Sequence, residues 1–234
     1  MGVETSCFGA VFLAIRTLCC VILPFILPHS WGCSLGQTRI IGKAYEHDFY
    51  THMMEECYLL WAKLEAEANV TLFRRTGILL KGPDDVDFQQ LKSILEKNQV
   101  PTETLGPEEF IQRLPQVNLL AGEGTLIDTT AGVLYANRAL RAVQRVFQSE
   151  GGVIKDGYQV TDIQPGSTVT VMTATEVYRA ESQVLTAGPW DNTLMAYTGL
   201  QIPLQVPIIL SKNCFACFVF NSCHIYIYKQ CNPA

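Results

Sequence analysis

The sequence predicts a mixed α/β fold, and two patterns carry that prediction. A β-type run (GTLIDTT, 124–130) precedes an amphipathic helical pattern (135–149), a Gly151-Gly152 stop and another β-type run (152–157). This order is typical of a crossover onto a parallel sheet. Three short β-type runs separated by turn residues then predict an antiparallel meander: YQVTDI (158–163), TVTVMT (168–173) and EVYRA (176–180). The helix is expected to bury Leu140, Val143 and Phe147.

A long helix and a short strand are predicted before these elements. Residues 46–68 carry apolar side chains at helical spacing, which predicts an amphipathic helix burying Phe49, Met53, Cys57, Trp61, Leu64 and Ala68. The run TGILLKG (76–82) predicts a short strand.

Two further helices follow that strand in the prediction. Either Asp84 or Asp85 is suited to cap a helix over residues 86–99. Its expected buried side chains are Val86, Leu91, Ile94 and Leu95. A short helix follows at 106–115. Beyond the meander, QVLTAGPW (183–190) predicts a strand ending in a glycine, either as a plain turn or as backbone offered to a ligand.

Composition narrows the classes of partner. The chain has 234 residues, 48% of them hydrophobic, which is enough for one large domain or two small ones with a sizeable core. The chain has 17 basic and 22 acidic residues, and the basic residues are not clustered in the sequence. We therefore expect no nucleic-acid partner. Nine cysteines, with none from 58 to 213, predict a reducing compartment rather than a disulfide framework.

The amino-terminal run CFGAVFLAIRTLCCVILPFILP (7–28) leaves three interpretations open. A signal peptide would need basic residues before the apolar region, where only Glu4 is charged. A membrane-spanning helix would place Arg16 near the bilayer centre at a cost of roughly 3 kcal/mol. Pro24 and Pro28 favour the third, a buried strand or helix of a soluble core, so we expect no membrane partner.

The carboxyl-terminal run 213–234 is rich in cysteine and aromatic residues. Cys214, Cys217, Cys223, His224 and Cys231 are of zinc-ligand type, but their spacing is irregular for a structural zinc site. We therefore predict no metal site here and an apolar, β-prone tail.

Several separated motifs resemble one family. They are LPHSWGCSLGQTRIIGKAY, DFYTHMMEECYLLWAKLE, TGILLKG, GVLYANRALRAV and LTAGPWDN. In this order they are similar to the sarcosine/L-pipecolate oxidase group of the monomeric sarcosine oxidase family of FAD-dependent amine oxidases. The resemblance runs from about residue 27 to 206. It predicts an atypical apolar segment at 1–26, a partial oxidoreductase domain at 27–208 and an unrelated tail at 209–234.

The resemblance implies both a fold and an activity. The fold is a doubly wound FAD/NAD(P)-binding domain with an antiparallel-sheet substrate domain, here incomplete at both ends. The activity is oxidation of the C–N bond of a secondary amino acid by a monomeric flavoprotein, with O2 giving hydrogen peroxide. The family implies the peroxisome, although the chain ends in Asn-Pro-Ala without a peroxisomal address, which otherwise suggests the cytoplasm.

The resemblance also assigns cofactor contacts. Ser34 and Thr38 would contact FAD, and Arg39 would place a permanent cation beside the flavin ring, where it stabilises reduced flavin. The backbone of Val160 would hold the adenine. Ala187, Gly188 and Trp190 would line the cofactor.

Other family positions differ. Leu35 stands where relatives carry a histidine, and Gly42 stands where they carry an arginine that clamps the substrate carboxylate. The sequence contains no G-x-G-x-x-G motif, and Leu23 or Pro24 occupies the place of the acid that binds the adenosine ribose. No catalytic residue is therefore assigned. A catalytically inactive truncated isoform or fragment stays open as the alternative.

Overall fold

The computed structural model of the protein describes residues 20–29, 39–203 and 224–227. Helices and strands are numbered separately in chain order. They are β1 (Cys20–Leu23), β2 (Arg39–Ile41), α1 (Asp48–Ala68), β3 (Phe73–Arg75), β4 (Ile78–Pro83), α2 (Val86–Lys97), β5 (Thr102–Glu103), α3 (Pro107–Arg113), β6 (Glu123–Asp128), β7 (Gly132–Leu134), α4 (Ala136–Ser149), β8 (Val153–Asp156), β9 (Val160–Gln164), β10 (Val169–Thr173), β11 (Val177–Ala180), α5 (Asp191–Met195) and β12 (His224–Ile227). Short 3-10 helices cover Gly188–Trp190 and Ala196–Thr198.

The chain divides into two compact units. The first unit takes in Met1–Gln37, Leu64–Val70 and Ala136–Leu210, and the second unit takes in Thr38–Lys63, Thr71–Tyr135 and Ser211–Ala234, so far as these are described. The predicted boundaries near residues 26 and 208 delimit the part of the chain that resembles the family, not a compact unit, and they stay a prediction.

The main sheet of the second unit buries both of its faces. Its strands run in the order β12-β4-β6-β5, with β4 antiparallel to β6 and parallel to β12. Successive strand residues face opposite sides. On one side Leu79 and Ile127 pack with Phe110 of α3, and on the other Leu126 packs with Phe88 of α2. The predicted strand at 76–82 and the predicted helix at 106–115 are confirmed within a few residues.

Helix α2 begins at a side-chain cap. Asp85 is the N-cap, and its Oδ1 accepts a hydrogen bond from the Phe88 N–H at 3.1 Å. The prediction that Asp84 or Asp85 caps this helix is therefore confirmed for Asp85. Of the predicted buried side chains, Ile94 and Leu95 are buried and Leu91 packs against their cluster. Val86 is exposed, since Phe88 fills the first buried position of the helix instead.

Helix α1 lies within the predicted range but buries a different face. Its buried side chains are Thr51, Met54, Trp61 and Leu64. The prediction was wrong for Phe49 and Met53, which are 66% and 52% exposed. Each lies two residues from Thr51, which is roughly 200° around a helix. Cys57 and Ala68 are not among the buried core residues either.

The first unit contains a parallel strand pair beside a helix. β1 pairs in parallel with β8, from Cys20 opposite Val153 to Leu23 opposite Asp156. Helix α4 precedes β8 and buries Val143 and Phe147 as predicted, together with Ala136, Ala139, Ala142 and Val146, while Leu140 is half-buried. The predicted parallel strand at 152–157 is confirmed. However, the predicted run 124–130 corresponds to β6, which pairs in an antiparallel sheet, and the parallel partner of β8 is β1.

The meander of the first unit matches the prediction, but the segment after it does not. Strands β9, β10 and β11 form an antiparallel sheet in the order β11-β10-β9. The predicted strand at 183–190 is wrong, because this segment forms no strand and ends in the 3-10 helix Gly188–Trp190. A β-type sequence becomes a strand only when another strand pairs with it. None does so here among the described residues.

Two predictions concern the chain ends. Cys20–Leu23 is a strand, as one of the three interpretations allows, but Cys20 is exposed and the other three residues are only half-buried. Residues 1–19 lie outside the described part. No described helix is long and apolar enough to cross a membrane. At the other end, His224–Ile227 is a strand, and Cys214, Cys217, Cys223 and Cys231 lie outside the described residues. Within the described part, no group of three or more His, Cys, Asp or Glu side chains could hold a metal ion.

We predict that Asp85→Ala destabilises the protein by about 1 kcal/mol, because it leaves the Phe88 N–H without its cap. Urea unfolding followed by circular dichroism measures the change. Asp85→Asn keeps an oxygen acceptor and should lie close to the wild type. Equal losses in the two variants would show that the cap does not stabilise α2.

We predict a loss of about 1–3 kcal/mol for Gly152→Ala, because its Cβ would come within 2.4 to 2.5 Å of the Phe147 ring. Gly82→Ala is the matched control, since no atom lies within 4 Å of the added Cβ there. Thermal unfolding of both variants tests this prediction. A Gly152→Ala protein as stable as the Gly82→Ala protein would contradict the close packing of α4 on β8.

Candidate cofactor site

Arg39 is the first residue of β2, an edge strand of a small three-stranded sheet in the second unit. Strand β2 pairs antiparallel with β7, and β3 pairs with the other edge of β7. Arg39 lies opposite Leu134 and is half-buried. Ile41, at the other end of β2, is buried.

A buried carboxylate fixes the end of that strand. Asp128, at the end of β6, is fully buried. Its Oδ2 accepts from the Lys43 N–H at 2.7 Å, and its Oδ1 accepts from the Thr130 N–H at 2.9 Å, the Thr130 hydroxyl at 2.6 Å and the Ala131 N–H at 3.2 Å. One side chain therefore joins the β6–β7 turn to the backbone that follows β2.

Tyr58 of α1 is connected to the same turn. Its hydroxyl donates to the Thr130 carbonyl oxygen at 3.2 Å, and its ring meets Phe73 edge-on at 5.5 Å. Burial, and then the negative charge of Asp128, raise the pKa of the Tyr58 hydroxyl. The phenol therefore stays protonated at physiological pH and remains a donor to Thr130.

Gly42 lies against the Asp128 carboxylate. A Cβ added at Gly42 would lie 3.2 Å from each of three atoms, namely Ala131 Cβ, Asp128 Oδ2 and Ile78 Cδ1. These separations are shorter than ordinary van der Waals contact. The backbone at this position is therefore packed for glycine, and its nearest charged group is an acid.

In the first unit, the predicted cofactor residues Ala187, Gly188 and Trp190 form a turn. Gly188 has φ of 59°, in the left-handed region that favours glycine. The Ala187 N–H donates to Asp191 Oδ1 at 2.6 Å, which holds the turn against the start of α5. Trp190 is 40% exposed, and its ring meets that of Phe25 edge-on at 5.8 Å.

Val160 begins β9 in the same unit. It pairs with Thr173 of β10, where the register shifts by a bulge between Met172 and Thr173. Bulges at strand ends commonly re-aim the chain. Among the described residues, Val160, Ala187, Gly188 and Trp190 belong to the first unit and Arg39 to the second. Ser34 and Thr38 lie outside the described residues.

The second unit also contains a polar cleft of about 220 Å³. Its lining residues are Lys43, Thr51, His52, Glu55, Lys97, Asn98, Gln99 and Val100. Two of its lysines are already paired, Lys43 with Glu55 at 3.4 Å and Lys97 with Asp48 at 2.6 Å. The predicted cofactor residues are absent from its lining.

Sequence reasoning missed Asp128, Tyr58, Phe25 and His29. A signal existed for Asp128, because an Asp-Thr-Thr sequence directly after an apolar strand is typical of a side-chain-capped turn. The contact between Phe25 and Trp190 joins residues far apart in sequence, and no local pattern indicates it.

Comparison with known proteins assigns the family. The family model described as FAD dependent oxidoreductase matches residues 25–214, which is most of the chain. The chain belongs to the FAD dependent oxidoreductase family. The resemblance inferred from the sequence motifs is thereby confirmed at this level.

Similar members of the family include oxidases of amino acids. The chain is 46% identical over 202 residues to peroxisomal sarcosine oxidase from Homo sapiens, covering 86% of this chain and 52% of the relative. It is 28% identical over 183 residues to monomeric sarcosine oxidase from Bacillus sp., covering 76% and 47%. The chain thus spans about half the length of the curated relatives it matches.

Solved structures support the fold assignment. NikD, an amino acid oxidase of nikkomycin biosynthesis, matches with a TM-score of 0.75 at 23% identity, covering 83% of this chain and 51% of NikD. L-proline dehydrogenase from P. horikoshii matches with a TM-score of 0.73 at 22% identity, covering 88% and 55%. The predicted mixed α/β fold, that of the FAD-dependent oxidoreductases, is confirmed.

We predict that Asp128→Asn destabilises the protein by about 2 kcal/mol or more. The amide presents an NH2 group to one of the four donors that now share the carboxylate, and a buried donor is left unpaired. Denaturant unfolding followed by tryptophan fluorescence measures the change. Asp87→Asn, on the exposed first turn of α2, is the control and should change little. Similar stability of the two variants would contradict the role assigned to Asp128.

Proposed function

We propose that this chain is a FAD-dependent oxidoreductase of the sarcosine/L-pipecolate oxidase type. Its 46% identity over 202 residues to a peroxisomal sarcosine oxidase is the observation that carries the proposal. The substrate is a small secondary amino acid, whose C–N bond is oxidised while O2 is reduced to hydrogen peroxide. By the same likeness we propose a monomer located in the peroxisome.

Several residues predicted from the family resemblance would contact the cofactor. The backbone of Val160 would bind the adenine, and the turn of Ala187, Gly188 and Trp190 would line FAD, with Ser34 and Thr38 as further contacts. Two observations favour this fit. Gly188 lets the backbone approach a ligand closely, and the buried Nδ1 atom of His29 has no hydrogen-bond partner among the described residues.

Arg39 would act as an electrostatic residue. Bound flavin supplies the acceptor for the electron pair and hydrogen of the amine substrate. Arg39 remains cationic at any physiological pH, so a position beside the ring would stabilise negative charge that develops there. Pairing with β7 and the Asp128 contact to Lys43 would hold β2, and with it Arg39, in a fixed register.

A second candidate function is a noncatalytic binding fragment, and the surroundings of Gly42 favour it. This position has neither the charge nor the space for the clamping arginine of the family. The loss of one bidentate arginine removes charge-assisted hydrogen bonds that are worth about 1.5–3 kcal/mol. Such a fragment would be catalytically inactive and would not oxidise amino acids even with FAD bound.

We predict that the purified chain binds FAD at a one-to-one ratio. Isothermal titration, with flavin absorbance after gel filtration, measures binding. Arg39→Ala should lower the midpoint potential of the bound flavin, because reduced flavin loses a stabilising cation. Arg74→Ala is the matched control, since Arg74 lies on β3 of the same sheet and is exposed.

The outcomes separate the two functions. FAD binding with reduction by sarcosine or pipecolate would support the oxidase. Binding without reduction by either amine would support the noncatalytic fragment. Absence of FAD binding, or equal potentials in the Arg39→Ala and Arg74→Ala proteins, would contradict the assigned cofactor role.

A further inference from the structure

The polar cleft of the second unit is formed by two helices and one loop. Its walls are Thr51, His52 and Glu55 of α1, residues 97–100 at the carboxyl-terminal end of α2, and Lys43. Its volume is about 220 Å³. Pockets for drug-sized molecules commonly measure about 300–1,000 Å³, so this cleft suits a smaller molecule. None of the described residues predicted to contact FAD lines it.

Lys43 brings a largely buried ammonium group to the cleft. Its side chain is 15% exposed, and Nζ lies 3.4 Å from Oε1 of Glu55 and 5.9 Å from the ring centroid of Tyr58. An ammonium group has three N–H donors, and its removal from water is unfavourable unless they are used. Glu55 accepts from one of them. Lys43 can therefore donate to a further oxygen in the cleft.

Acceptor oxygens line the same cleft. Glu55 is 66% exposed, and its Oε1 is the atom paired with Lys43. The Nδ2 amide of Asn98, at the C-cap of α2, donates to Asp48 Oδ1 and to the Ile94 carbonyl oxygen. Oδ1 of Asn98 accepts no hydrogen bond within the described part of the chain. A positively charged group in the cleft can therefore donate to Glu55 and to Asn98.

The charges at the cleft are balanced. Lys43 pairs with Glu55, and Lys97 pairs with Asp48 at 2.6 Å. A ligand with a single charge would match one member of these pairs and be repelled by the other. A ligand with one negative and one positive group can match both. The lining therefore favours a small zwitterion over a simple anion or a simple cation.

We propose that the polar cleft binds a small amino acid as a zwitterion, with its carboxylate on the ammonium group of Lys43 and its own ammonium group on Glu55. This site is separate from the proposed cofactor contacts and takes no part in oxidation of the C–N bond. The inference goes beyond the proposed function and is tested without FAD.

The experiment is a titration of the full chain with glycine, in the absence of FAD, followed in amide proton–nitrogen spectra. We expect saturable shifts at Thr51, Glu55, Asn98 and Gln99. Acetate and methylammonium each carry one of the two charged groups of glycine. At the same concentration and ionic strength they should give much smaller shifts, because neither can engage both ends of the cleft.

A pair of lysine variants tests the carboxylate end. Lys43→Met keeps a long side chain without the charge and should raise the Kd of glycine by about tenfold, which is equivalent to about 1.4 kcal/mol. Lys92→Met is the matched control. Lys92 is also largely buried, pairs with Asp84 at 3.8 Å and lies 4.9 Å from the ring centroid of Phe88, but it does not line the cleft.

A pair of glutamate variants tests the ammonium end. Glu55→Gln keeps the shape of the side chain but removes its charge, so it should also raise the Kd of glycine. Glu56→Gln is the control, because Glu56 is the next residue of α1, is exposed and does not line the cleft. Both side chains are exposed, so neither change should affect folding.

Three results would overturn the proposal. They are the absence of saturable shifts at the cleft with glycine, a response to acetate or methylammonium equal to that of glycine, and equal glycine affinity in the Lys43→Met and Lys92→Met proteins. The first two come from the wild-type chain and do not depend on the variants folding.

This proposal and the proposed function fail in different ways. If glycine shifts the cleft residues while FAD is neither bound nor reduced, the amino-acid site stands and the oxidase function fails. If FAD is bound and reduced by an amine while glycine leaves the cleft residues unshifted, the oxidase function stands and the amino-acid site fails.

Discussion

The second unit depends on one buried carboxylate. Asp128 has no exposure to solvent, and the four hydrogen bonds that it accepts replace its hydration. Three of those donors are backbone N–H groups, which fixes the turn after β6 and the chain after β2 together. The strand that carries Arg39 therefore obtains its position from a residue distant in sequence. Tyr58 adds a hydrogen bond to the same turn.

Local patterns predict the elements of this chain better than they predict its tertiary pairings. Helix α2 and its Asp85 cap, the meander and the glycine stop before β8 follow from side-chain spacing and turn chemistry, and the structure contains them. The prediction of the buried face of α1 was wrong at Phe49 and Met53. Apolar residues occur on all sides of this helix, so their spacing does not define a single face. The segment 183–190 has strand-forming residues but no strand to pair with among the described residues.

In the candidate site too, the sequence predicts some features and not others. Composition and spacing alone assign no cofactor, whereas the resemblance of separated motifs to one family predicts FAD and names its contacts. The family match over residues 25–214 supports the family assignment. The contact between Phe25 and Trp190 and the crowding at Gly42 could not be predicted, since both arise from residues brought together only by folding. These two features bear most directly on what the chain binds and whether it turns over an amine.

We propose above all that this chain has a site for FAD. Amide proton–nitrogen spectra recorded during a titration with FAD test it most directly, because each residue reports separately. The account predicts saturable shifts at Arg39, Val160 and Gly188, complete at one equivalent of FAD, with the amides of α2 unchanged. Absence of shifts at Val160 and Gly188, or shifts confined to α2 and α3, would contradict it.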